Sequence, residues 1–192
     1  GLAKTTIPFG TYAPALAESW DVSEDKKTYT FHLREDVTWH DGEPFDAEDV
    51  MFTWALYMNP EAGLSGHGLW AGNVNEVRMI DEYTVELETK EIFAPAIYRF
   101  ARAVILPEHI LGDVNPSQLQ SHPFNKAPIG TGPFKVVEWV DDEYIQYVAN
   151  EDYYEGPPEF DSILFRVIPD KATAIAALEA GEVHLIEQQG YR

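Results

Sequence analysis

Cysteine is absent from the 192 residues, which excludes disulfides, thiolate metal sites and cysteine nucleophiles and leaves the redox compartment open. Long apolar runs are missing too: nothing approaches the ~20 consecutive residues that a membrane-spanning helix needs. No basic segment followed by an apolar one opens the chain, so any signal peptide or lipid anchor is expected upstream of this stretch. Positive charge is scarce, with 13 Lys and Arg against 33 Asp and Glu and a formal net charge of -20. Such a field repels phosphate backbones and anionic lipid, which argues against nucleic-acid partners and against peripheral membrane binding. The histidines, His32, His40, His67, His109, His122 and His184, form no HxxxH or HExxH pair, and the acids show no calcium-loop order. Neither a metal, a cofactor nor a catalytic group is expected, and the chain reads as a binding module, not an enzyme.

What is present is a foldable chain. Hydrophobic residues make up 45% and aromatics 13%, too much for a disordered segment. A body of this size, one domain or a domain and a half, buries roughly 70% of the surface its unfolded chain exposes. The acidity then reads as a solubilising surface suited to a secreted protein.

The stretch Ala127 to Tyr154 organises the rest. Gly130 and Gly132 permit a tight bend, Pro133 fixes its own φ, and Phe134 to Val140 then runs in β-formers. Asp141 to Glu143 break that strand and Tyr144 to Ala149 resumes it, a hairpin. Upstream, Gly1 to Ala13 lacks periodicity. Thr28 to Arg34 alternates with Tyr29, Phe31 and Leu33 on one face, a half-buried strand. Val37 and Trp39 stay extended until Asp41-Gly42 turns the chain. Asp46, with Asp49 three residues on, caps a helix over about 47–58, whose stripe is Val50, Trp54, Tyr57 and Met58 and which stops at Asn59-Pro60.

Val77 and Met79, a turn at Asp81-Glu82, and Val85 and Leu87 read as another hairpin. Pro95 suits the first position of a helix burying Ile97, Phe100, Ala101 and Val104, and a short second helix follows Pro107. Ile163 to Ile168 has the look of a buried strand. Lys171 to Ala180 is helical with Ala172, Ile175, Ala176 and Leu178 inward and Gly181 just past its end. Val183 to Ile186 would be the next strand, completing a βαβ unit.

Several motif matches fail on context. GTGPF has no Lys or Ser/Thr opening a helix, so it is not a phosphate loop. G-L-S-G-H has His67 where a nucleophile elbow needs Gly, and G-H-G-L-W-A follows a helix where a dinucleotide fingerprint follows a strand. Gly63 to Asn75 is therefore expected as a mobile loop. His40-Asp41 reads as a structural or solvated pair, and Pro116 blocks a glycosylation sequon at Asn115. Arg99 and Arg102, three apart on one helix, suit an anionic group such as a peptide carboxylate, or else local acids.

The order of L-A-E-S-W-D-V-S-E-D, T-Y-T-F-H-L-R-E-D-V-T-W-H-D-G-E-P-F-D-A-E-D-V-M-F-T-W, I-L-P-E-H-I-L, GTGPF, N-E-D-Y-Y-E-G-P-P and D-S-I-L-F-R-V-I-P-D resembles the extracytoplasmic solute-binding proteins of peptide-type ABC transporters (dipeptide, oligopeptide and nickel receptors, family 5). The resemblance runs from about Leu16 onward; His184 departs from it, standing where the family commonly has Asp. It implies an α+β, periplasmic-binding-protein-like fold of the type II, peptide-binding class: a first lobe of mixed sheet with hairpins and flanking helices and a partial α/β return segment. Residues 17–161 would form a small mixed subdomain, residues 1–16 and 162–192 part of the main α/β subdomain, with the second lobe absent.

The implied function is a receptor, periplasmic or extracellular and monomeric, that captures peptides and delivers them to the transmembrane subunits of an ATP-driven permease. Any membrane attachment would be a lipid anchor outside this stretch. An oligosaccharide or metal-chelate receptor on the same scaffold, or a secreted protein-interaction domain, are the alternatives. By the same resemblance Trp70 is a candidate wall for a bound side chain. Glu187, Gln188 and Gln189 are candidate ligand contacts near the hinge, while the groups that anchor peptide termini fall outside the chain.

Overall fold

The computed structural model describes residues 1–5 and 11–187, with the backbone alone for residues 101 and 102. The aperiodic opening forms a short antiparallel ladder of β1 (Ala3–Thr5) and β2 (Tyr12–Pro14). The main sheet contains β3 (Ala17–Val22), β4 (Thr28–Leu33), β5 (Val74–Asp81) and β6 (Thr84–Thr89), antiparallel in the order β3-β4-β6-β5. Alternation sets its register: Tyr29 pairs with Leu87 and Phe31 with Val85, and all four are buried on one face. A one-residue slip would turn that apolar set toward water.

Helix α1 (Ala47–Met58) packs on that face and begins at the sequence-read cap. Asp46 accepts a hydrogen bond from Glu48 N at 2.8 Å, and Asp49 completes a capping box. Val50 and Trp54 enter the main core. On another side Leu56, with Phe52 beside it, meets Leu106, Leu111 and Leu119 in a smaller cluster. α1 is thus held between the sheet and the 105–125 segment, which carries α4 (Glu108–Leu111).

At the centre of the main core, Phe100 of α3 (Ala96–Arg102) stacks on Trp70 (5.5 Å, 15°). It meets Tyr29, Phe31 and Trp54 edge-on at 5.3, 6.2 and 5.7 Å. Edge and offset contacts of this kind add to the ~1.5–3 kcal/mol that burying each such side chain contributes.

A three-stranded antiparallel sheet follows, β7 (Phe134–Val140), β8 (Tyr144–Ala149) and β9 (Ser162–Arg166), and then α5 (Lys171–Glu179). Gly181 takes φ +74° just beyond α5, the left-handed stop read from sequence.

Several expectations are corrected. Gly63 to Asn75 is not a loop throughout: it contains helix α2 (His67–Asn73), because Trp70 is drawn into the aromatic core. Pro95 caps α3 instead of opening it, and Val104 lies 63% exposed outside its buried stripe.

β9 is not a covered strand. Leu164 and Phe165, neighbours that point to opposite faces of the edge strand β9, are 55% and 51% exposed, so neither face is covered there among the described residues. Since β9 pairs with β8, the subdomain boundary expected after residue 161 falls inside this sheet. Helix α5 buries Ala174 and Ala177, not the Ile175 and Leu178 stripe. With alanines on two sides, periodicity alone does not say which side is covered. Residues 183–186 form no strand: Glu182 N and Val183 N both turn back to Ala177 O, at 2.8 and 3.3 Å, so the βαβ unit is not closed here.

Candidate functional site

Three consecutive residues at one hairpin tip reach three different elements. The tip is closed by a Thr38–Pro44 bridge and by Gly42 at φ +96°, a conformation glycine takes without strain. Trp39 Nε1 donates to Asp49 Oδ2 of α1 at 2.9 Å. Asp41 Oδ2 lies 2.9 Å from His109 Nε2 of α4. His40, between them, holds the Gly-Thr-Gly-Pro turn.

His40 N donates to Gly130 O at 2.8 Å, Gly130 N donates to His40 Nδ1 at 3.2 Å, and His40 Nε2 donates to Gly132 O at 3.0 Å. A backbone N–H can only donate and a carbonyl only accept, so the ring is the neutral Nε2–H tautomer. Asn150, buried at the end of β8, adds Nδ2 to Gly132 O at 3.1 Å and its own N–H to Pro133 O at 2.8 Å. Lys135 Nζ donates to His40 O at 3.2 Å. The turn that launches β7 is therefore fixed by side chains from two other segments.

The electrostatics follow burial. His40 is pushed below the ordinary histidine value by burial and by the nearby Lys135 ammonium, against the pull of the Gly132 bond and Asp41. Asp49 is pushed up by burial, although Glu108 N at 2.8 Å and the Trp39 indole both donate to it. For Asp41, burial acts upward, but the His109 bond and the Glu43 N–H outweigh it and bring the carboxyl below its usual range.

Beside the turn lies an open depression of about 520 Å³ lined by Lys135, Val148, Ala149, Glu151, Asp152 and Asp161. A drier groove of about 210 Å³ runs between α1 and β5, lined by Met51, Trp54, Met58, Val74 and Val77 among others. Among the described residues no group of three or more His, Asp or Glu is placed to hold a metal ion.

Of the residues singled out from sequence, Trp70, Arg99 and Glu187 are described with their side chains. Trp70 is 5% exposed, stacked on Phe100 and 4.9 Å from Trp54, a core residue with little surface left to line a cleft. Arg99 is exposed, its guanidinium 5.9 Å from the Tyr98 ring. Arg102 shares α3, but its side chain lies outside the described residues. Glu187 is exposed at the end of the described chain, and Gln188 and Gln189 lie outside it. Sequence reading missed the roles of Asn150, Lys135 and His40. Only a polar residue placed directly after the apolar β8 hinted at the first, and nothing local signals the others, 90 or more residues from their partners.

Comparison with known proteins fits this frame of turns and hairpins. The family described as bacterial extracellular solute-binding proteins, family 5 (middle), matches residues 11–191. A Brucella abortus protein provisionally named an ABC transporter peptide-binding protein is 40% identical over 169 residues, covering 88% of this chain and 32% of that one. The structure of NikZ from Campylobacter jejuni in complex with Ni(L-His) superposes with a TM-score of 0.87 at 32% identity, over 95% of this chain and 36% of that one. The oligopeptide-binding protein AppA of Bacillus subtilis, in complex with a nonapeptide, gives 0.86 at 34% identity over the same shares, 95% and 36%. The chain thus spans about a third of the length of the curated relatives it matches. With a family match along nearly its whole length and the peptide-binding-class fold to go with it, the chain belongs to the bacterial extracellular solute-binding proteins of family 5.

Proposed function

We propose that this chain is part of the receptor of an ABC importer, which captures peptides outside the cytoplasm and passes them to a membrane permease. The observation that carries the reading is the likeness to AppA, whose structure holds a nonapeptide, over 95% of this chain at 34% identity. Two features agree with it. The conspicuous order is in backbone turns and apolar faces. Exposed apolar side chains also gather on β7, β9 and α5, including Val137, Trp139, Leu164, Phe165, Ile175 and Leu178, where further polypeptide of a longer receptor would pack. No helix among the described residues is long and apolar enough to cross a membrane. The receptor acts as a monomer.

Within that reading, Arg99, Arg102, Glu187, Gln188 and Gln189 remain proposed ligand contacts, Arg99 and Arg102 toward a carboxylate. A metal-chelate cargo is the second reading, favoured by the equally close likeness to a receptor that binds Ni(L-His). Native mass spectrometry of the full-length receptor, purified without refolding, separates them. A co-purified ladder of peptide masses is expected; a nickel-histidine or sugar mass in place of peptides would overturn the peptide reading. The isolated 192-residue chain should bind the same cargo poorly, since a cleft needs two walls, and submicromolar peptide binding to it by calorimetry would count against a two-walled site.

A further inference from the structure

The hydrogen bonds that hold the Gly130–Pro133 turn run through both ring nitrogens of one histidine, an arrangement independent of which solute the protein carries. Both ring nitrogens of His40 are committed: Nδ1 accepts from Gly130 N at 3.2 Å and Nε2 donates to Gly132 O at 3.0 Å. A second proton on the ring would set Nδ1–H against the Gly130 N–H, turning a hydrogen bond into a repulsion between two donors. We propose that protonation of His40 releases the Gly130–Pro133 turn, making the junction between the 39–41 tip and β7 a conformational switch that opens in acid.

The surrounding charges decide the sign. From β7, Lys135 places its ammonium on His40 O at 3.2 Å and opposes a second positive charge. On the tip itself Asp41 favours that charge, but its carboxylate is engaged 2.9 Å away by His109 of α4. From the end of β8, Asn150 offers Gly132 O a neutral donor at 3.1 Å that survives protonation of the histidine. The Gly132 end of the turn therefore stays tethered, and at the Gly130 end the bond from Gly130 N to the ring is lost while His40 N still donates to Gly130 O at 2.8 Å, so it is the Gly130 amide that is freed. Burial and Lys135 depress the His40 value in the closed turn. The latch is thus fully closed above the ordinary histidine value near 6.5, and it weakens as pH falls from there toward the closed-state value.

The test is pH-resolved amide hydrogen exchange and imidazole nitrogen NMR on the protein between pH 7.5 and 4.5. Expected are a neutral Nε2–H tautomer for His40 with a midpoint below 6.5, and Gly130 amide protection that is flat above pH 7. Corrected for intrinsic exchange, that protection should fall by about ten-fold per pH unit until His40 itself titrates, the slope of a single linked proton. Amides of β4 and β6 should stay protected throughout. In His40→Gln the dependence at Gly130 should vanish; if that variant does not fold, the wild-type titration alone decides. A His40 midpoint at or above 6.5, a pH-indifferent Gly130, an unchanged dependence in His40→Gln, or simultaneous loss of protection in β4 and β6 would each overturn the latch.

Discussion

Replacing Asp49 with alanine should strike the point where three segments are tied together. The carboxylate is 4% exposed and takes Trp39 Nε1 on one oxygen and Glu108 N on the other, at 2.9 and 2.8 Å. It also completes the α1 capping box through Asp46 N at 3.4 Å. Removal strands two buried donors at roughly 1–3 kcal/mol each and forfeits part of a cap contribution of about 1 kcal/mol. Against this, the buried carboxylate no longer has to be held out of water, a relief visible in its upward-shifted titration. We expect a net loss of about 3 kcal/mol, a large part of the ~5–15 kcal/mol available to a typical domain. Asp49→Asn keeps one acceptor and turns an amide N–H₂ on the other donor, so it should lose about half as much. Urea unfolding followed by tryptophan fluorescence measures both, with Trp39 as an adjacent reporter. A loss under about 1 kcal/mol for the alanine variant would refute the reasoning, because it would mean that water reaches both donors.

Phe100→Ala should lose roughly 3–5 kcal/mol in thermal or urea unfolding, since its ring touches Tyr29, Phe31, Trp54 and Trp70 at once. The near-ultraviolet circular dichroism of the aromatic cluster should collapse with it. Phe165→Asp, on a side chain 51% exposed and in edge contact with Tyr147 at 5.7 Å, should cost this chain about 1 kcal/mol. In the full-length receptor the same substitution should be clearly more damaging. Equal, small effects in both would count against further polypeptide packing on β9.

Where a segment's partners are close in sequence, its structure was legible. The Asp46 cap, the 47–58 helix, the alternation of β4 and the 134–149 hairpin are all written in short-range pattern, and they form as read. Where burial is decided by something far away, pattern misleads. The apolar run at Ile163 to Ile168 looks covered, yet its strand is an edge. The glycine-rich stretch around Trp70 looks loose, yet one large ring pulled inward is enough to fold it into α2. The same distance hides the site. Trp70 reads as an aromatic in a loop and is core, whereas His40 reads only as structural or solvated, with no sign that it fixes a turn 90 residues away.

The tip at Trp39, His40 and Asp41 has a consequence for how this protein tolerates changes in length. The tip is a tight turn closed by Gly42 N on Trp39 O at 2.9 Å, and its adjacent residues fan out to α1, the glycine turn and α4 only while the spacing between them is kept. Inserting or deleting a single residue there would move all the anchors out of place together, whereas the loop at 141–143 is held outside its own hairpin only by the ion pair of Lys126 with Asp141 and by Val167 N on Glu143 O at 2.8 Å, so lengthening at 141–142 should disturb far less. Drift in loop length among related chains should therefore stop abruptly at this tip.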